Sequence, residues 1–127
     1  MNNVFEITVN EVVYQFKFGM GFMREINKKI AMPVENIKDV KKNIGLRYYA
    51  AGLIDGDIEA LVDVLEVANK GYTPRVTRVM LDDYIDAEDT DIDTLFDTVL
   101  DFFKTSNATK KTVMSLLQEV ENQKAKN

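Results

Sequence analysis

The chain has 127 residues, 46% hydrophobic and 29% charged, with a formal net charge of −5. At roughly 150 residues per domain this is one compact domain's length, and the mixed composition excludes a disordered or fibrous chain. Cysteine and histidine are both absent, which excludes disulfide frameworks, thiolate nucleophiles, metals held by cysteine or histidine, and acid–base steps run by an imidazole.

Residues 4–18 alternate with a period of two. Phe5, Ile7 and Val9 share one face of a first strand, and Val12, Tyr14, Phe16 and Phe18 share one face of a second, with Asn10 and Glu11 as the turn. Asparagine tolerates the left-handed backbone of a two-residue hairpin loop; glutamate is poorer there than glycine. A lone hairpin is marginal in water and must be covered. The period then changes. Phe22, Met23, Ile26 and Ile30 fall on one helical face that ends before Met32 and Pro33, and this helix is expected to pack on the hairpin.

Residues 35–44 read as a basic, helix-favouring stretch with Ile37, Val40 and Ile44 on one stripe, bent or broken at Gly45, and residues 46–54 read as another short helix. Asp57 offers an N-cap to a strongly periodic helix through Asn69. Its face carries Ile58, Leu61, Val62, Leu65 and Ala68 and is widened by Val64 and Val67, which marks the core helix. Lys70, Gly71 and Tyr72 close it. Thr73 and Pro74 are expected to open the next helix as cap and first-turn proline, with Val76, Val79, Met80 and Tyr84 along one side to about Asp86.

The run Thr90-Asp91-Ile92-Asp93 resembles a capping box and starts a helix with Ile92, Leu95, Phe96, Val99, Leu100 and Phe103 as its stripe and Phe102 beyond the edge. Asn107 or Thr109 caps a last helix with Val113, Leu116, Leu117 and Val120 at i, i+3, i+4 and i+7. Residues 121–127 are polar and expected to fray. The fold class expected is α+β: an N-terminal β-hairpin packed on a mainly helical part of five or six helices over residues 20–120, all within one domain.

Charge is distributed unevenly. Nine acidic residues lie between Arg78 and Lys104 with no lysine or arginine among them, whereas residues 17–47 carry eight basic against three acidic side chains, a net of +5. These are ordinary solvated faces, or faces that attract one another within one folded chain, or complementary patches that meet between chains. In the last case heterologous contacts generate rings or open filaments. The candidate contact residues are Lys28, Lys29, Lys38, Lys41 and Lys42 on the basic side and Asp89, Asp91, Asp93 and Asp97 on the acidic side. Phe102, Phe103, Val113, Leu116, Leu117 and Val120 read as core or as a face on which a partner helix docks.

Other chemistry finds little support. Asp89-Thr90-Asp91-Ile92-Asp93 looks like the opening of a calcium loop, but its sixth position is Thr94 instead of a turn glycine and its twelfth is Leu100 instead of glutamate. Acids at helix starts are favoured by the macrodipole in any case. Ser106 and Ser115 have no histidine to activate them, and the carboxylates form a surface-like run, so neither an enzyme nor a cofactor is expected. A helix-turn-helix can be sketched around residues 71–74 with Arg75 and Arg78, yet the acidic residues that follow would sit beside phosphates. The N-terminus has no basic-then-apolar leader pattern, and no run of about 18 apolar residues occurs, so a soluble cytoplasmic protein with neither membrane nor nucleic acid as partner is expected.

The opening runs Tyr14-Gln15-Phe16-Lys17-Phe18, a glycine, then Phe22-Met23-Arg24-Glu25-Ile26-Asn27-Lys28-Lys29. In this it resembles the tail assembly chaperones of long-tailed phages, in particular the short type from phages and prophages of Gram-positive bacteria. Gly56-Asp57 before an aliphatic helix and Phe102-Phe103-Lys104 after the acidic run are similar too. The motif residues are Phe18, Phe22, Arg24 and Glu25, with Arg24 and Glu25 expected to orient the first helix against the hairpin. The resemblance implies a homo-oligomeric, non-catalytic protein that associates with the tape-measure protein, keeps its apolar surface from aggregating and brings it together with tail-tube subunits. It also implies short and longer products made by translational frameshifting. The alternative is a small acidic adaptor or inhibitor that presents its aspartate run to a host or phage protein as a phosphate mimic, followed by a helix-turn-helix regulator of DNA.

Overall fold

A computed structural model describes residues 4–126. The elements are β1 (Val4–Val9), β2 (Val12–Lys17), α1 (Met20–Lys28), β3 (Ala31–Pro33), β4 (Lys41–Asn43), α2 (Gly45–Ile54), α3 (Ile58–Ala68), α4 (Arg78–Asp86), α5 (Ile92–Thr105) and α6 (Lys110–Lys126). An antiparallel N-terminal hairpin thus packs on a mainly helical part with six helices, the class that the change of period after Phe18 predicts.

Strands β1 and β2 pair in the register Val9↔Val12, Ile7↔Tyr14 and Phe5↔Phe16, so the alternating apolar residues of both strands fall on one face. Asn10 and Glu11 both take positive φ, 50° and 68°, as a two-residue loop matching the strand twist requires. Only Val12, beside the turn, leaves the buried face for solvent. The covered side meets an aromatic cluster. Phe5 lies 5.1 Å from Phe16 and 4.9 Å from Phe102 between ring centroids, and Phe18 meets Phe103 edge to face at 4.7 Å and Phe22 at 4.9 Å. Six of the seven phenylalanines therefore join the hairpin to α1 and α5. Burial of each such ring contributes on the order of 2–3 kcal/mol, and each well-placed ring pair about 1 kcal/mol more.

Helix α3 is buried nearly all round, through Ala60, Leu61, Val62, Val64, Leu65, Val67 and Ala68, and is the core helix. Asp57 caps it, accepting hydrogen bonds from the Glu59 and Ala60 N–H groups; Ile58, expected on the face, is exposed. Small residues let α2 approach its neighbours. A Cβ on Gly45 would stand 1.8 Å from the Ile26 carbonyl oxygen of α1, and one on Gly52 would stand 2.8 Å from the Ala60 Cβ of α3. Gly45 thus begins α2 at a backbone crossing, where the sequence suggested a bend or break ahead of a short helix over residues 46–54.

The expected helix over residues 35–44 does not form. Ala31–Pro33 and Lys41–Asn43 pair instead as an antiparallel ladder, with Met32 opposite Lys42 and Pro33 opposite Lys41. Asn36 and Asp39 take positive φ, 66° and 62°, and turn the chain back, a conformation these two residue types tolerate and a helix forbids. A helix there would also have stacked Lys38 on Lys41 and Lys42, a like-charge arrangement at i+3 and i+4 that opposes it. The intended stripe is open to water: Ile37 is 54% and Val40 44% exposed.

Helix α4 starts at Arg78, after the expected Thr73–Pro74. Thr77 caps it, its hydroxyl accepting from the Met80 N–H, because the preceding residues are drawn into a loop around Asn69. The fully buried Asn69 side chain donates to the Gln15 and Pro74 carbonyls, at 2.9 and 3.3 Å, and its Oδ1 accepts from the Val76 N–H and from Arg75, each at 2.7 Å. This shift of frame turns Val79 to solvent and buries Leu81 in its place, while Val76 is buried from the loop.

Asp91 caps α5, and Leu95, Phe96, Val99 and Phe103 bury its stripe, with Ile92 and Leu100 half-buried at its edge. Thr109 precedes α6, but its hydroxyl turns back to the Phe103 carbonyl at 2.7 Å and so closes α5 instead of capping α6 through its side chain. Helix α6 continues through residues 121–126, which were expected to fray; Asn127 lies outside the described residues.

Candidate interaction surfaces

The family-motif residues divide between core and surface. Phe18 and Phe22 are buried in the aromatic cluster, where their spacing across Gly19 sets α1 against β2. Arg24 and Glu25 are exposed on α1. Glu25 pairs with Lys70 at 3.2 Å, beyond the end of α3, so it ties α1 to α3 and does not orient α1 against the hairpin. Both side chains are half exposed, and such a pair contributes about 0–1 kcal/mol. The pair spans a cleft of about 620 Å³ whose walls include Lys17, Met20, Phe22 and Tyr72.

The basic candidates flank the break between α1 and the β3–β4 arm. Lys28 ends α1 and Lys29 is its C-cap, where cations complement the helix dipole. Lys38 sits in the loop of the β3–β4 hairpin, and Lys41 and Lys42 lie on β4; all five are exposed. Met32 and Ile37 are each 54% exposed on the same arm. The acidic candidates Asp89, Asp91, Asp93 and Asp97 are exposed along the α4–α5 link and the start of α5. Asp91 accepts from the Thr94 N–H at 3.0 Å and the Thr94 hydroxyl at 2.8 Å, and these bonds, the backbone one foremost, hold its carboxyl below the usual carboxylate range. Between this link and the β1–β2 turn lies a cleft of about 400 Å³ lined by Val9, Asn10, Asp83, Tyr84, Asp89 and Asp91.

The ion pairs of the described residues run elsewhere. Arg47 meets Glu119 at 2.6 Å and ties α2 to α6; Arg78 meets Asp63 at 2.6 Å, with Glu59 and Glu66 farther out, and ties α4 to α3. Asp63 also accepts from the Tyr49 hydroxyl at 2.9 Å. Burial first, and then this bond to a carboxylate, push the Tyr49 phenol up to about 12. Among the described residues no ion pair joins residues 17–47 to residues 82–101. The arginines of the sketched helix-turn-helix are likewise spent inside the fold, Arg78 on α3 and Arg75 on the Glu66 carbonyl and Asn69.

The apolar candidates are mostly interior. Phe103 and Val113 are fully buried, Leu116 is 8% exposed, and Phe102 is half-buried over Phe5. In this conformation Phe103, Val113 and Leu116 pack α5 and α6 onto the core and present no face to a partner. Leu117 and Val120 are half-buried, and Val120 lines a shallow groove of about 100 Å³ with Ala51, Ile54 and Glu119 between α2 and α6. Two features escaped the sequence reading. Asn69 looked like a helix end, and the exposed arm looked like a helix, although Asn36 and Asp39 carried the turn signal.

Among the described residues no three acidic side chains converge as a metal would need, and no helix is long and apolar enough to cross a membrane. The family of phage tail assembly chaperone proteins, TAC, matches the chain over residues 6–118. The chain belongs to this family. The match takes in most of the first hairpin, the arm and the first half of α6, so the chaperone is a non-catalytic protein of phage tail assembly and virion morphogenesis. No significant match is found among the curated proteins or the solved structures.

Proposed function

We propose that the chaperone binds the tape-measure protein in the host-cell cytoplasm, shields its apolar surface and brings it together with tail-tube subunits through reversible protein–protein contacts. The observation that carries this reading is the family match over residues 6–118. Its surface chemistry suits the task. Exposed apolar side chains on the arm and exposed unlike charges at its two candidate faces give contacts of modest strength that many copies can make and release.

Co-expression tests it. Tape-measure protein made with the chaperone is expected to stay soluble and to be retained by a tagged chaperone, whereas made alone it aggregates. Equal solubility with and without the chaperone, and no retention, would sink the reading.

A further inference from the structure

The β3–β4 arm is the part of the fold that its own chain does not cover. The two strands pair with each other and make no extensive contact with any other element. Backbone bonds close its base and neck, Ile44 N–H to the Ile30 carbonyl and Val34 N–H to the Val40 carbonyl, both at 2.9 Å. It holds Met32, Ile37 and Val40 in water beside Lys38, Lys41 and Lys42, none of which has an ion-pair partner among the described residues. An apolar tip of net positive charge, with three lysines against Glu35 and Asp39, is a costly surface to leave in solvent unless something receives it.

The same chain carries a receptor of matching chemistry. The cleft of about 400 Å³ beside the α4–α5 link has the ring of Tyr84 and the buried Val9 in its wall and the carboxylates of Asp83 and Asp89 at its rim. Neither carboxylate is ion-paired among the described residues. We infer that the arm of one copy docks in this corner of a second copy, with Ile37 entering the cleft and Lys38, Lys41 and Lys42 facing its carboxylates. Because arm and corner are different surfaces, the contact is heterologous and leaves a free arm at one end and a free corner at the other. The inference concerns how copies meet and does not depend on which client they hold.

Light scattering after size-exclusion chromatography tests it. The wild-type chain is expected to exceed the monomer mass at low salt and to associate at least about tenfold more weakly at about 0.5 M salt, where charges are screened beyond a few ångströms. Ile37→Asp is expected to weaken association at least about tenfold, the range of a lost central anchor. The triple Lys38→Glu, Lys41→Glu, Lys42→Glu variant and the double Asp83→Lys, Asp89→Lys variant are each expected to be monomeric. Mixing these two restores association, since every arm then meets a corner of opposite charge. A monomeric wild type, association indifferent to salt, or variants that associate like the wild type would overturn the inference. Client retention is read separately on the same preparations. A monomer that retains the tape-measure protein overturns this inference alone, and a self-associating chain that never retains it overturns the proposed function alone.

Discussion

The molecule contains two β-hairpins of opposite character. In β1–β2, alternate residues of two six-residue strands point inward, and all of them but Val12 are buried, beneath Phe18, Phe102 and Phe103. In β3–β4, three residues per strand carry no buried side chain. The first hairpin is held by what it buries, the second by its turn and by backbone bonds at its neck. A chain can therefore keep apolar residues ordered in water when their conformation is secured by something other than their own burial, and such residues remain available to a partner.

The comparison breaks hardest at the aromatic hub. Phe103→Ala is expected to cost about 3–5 kcal/mol, since it empties the site that Phe18 and Phe22 both touch, and urea unfolding measures it. Asn69→Ala comes next, at about 2–3 kcal/mol, because it strips the Gln15 carbonyl and the Val76 N–H of their partner; faster hydrogen exchange at Val76 would accompany the loss.

Tyr49 gives a smaller effect with a distinctive pH signature. Its folded-state pKa of about 12 lies above the ordinary 10.0, so its contribution is whole below pH 10.0 and is lost as pH rises towards about 12. Relative to Tyr49→Phe, the wild-type chain is expected to lose about 1 kcal/mol between pH 8 and pH 11, read from paired urea titrations. The least effect is expected at the arm. Met32→Ser with Ile37→Ser should move stability by no more than about 0.5 kcal/mol while diminishing self-association, and a large stability loss would show that the arm is core after all.

The sequence made the first hairpin, the core helix and the α5 stripe legible because each rests on a periodic pattern long enough to fix a face; Asp57 caps α3 as read, and the capping-box run marked the start of α5, although Asp91 and not Thr90 takes the cap. It also carried the family, through the aromatic, glycine and Arg24-Glu25 run of the first thirty residues. Where patterns were short, propensity misled. Residues 35–44 had helix formers and a three-residue stripe, and two left-handed turns outweighed them.

What the tertiary structure alone decided is which apolar and charged residues are free. Phe103, Val113 and Leu116 have the same periodic signature that a docking helix would show, and only the packing of α5 and α6 against α1 and α2 assigns them to the interior. Arg78 reads in one dimension like any surface cation until α3 presents three carboxylates to it. Local sequence fixes backbone periodicity and caps because those depend on neighbours within a few residues; availability to a partner depends on contacts between residues far apart in the chain, and no local pattern encodes it.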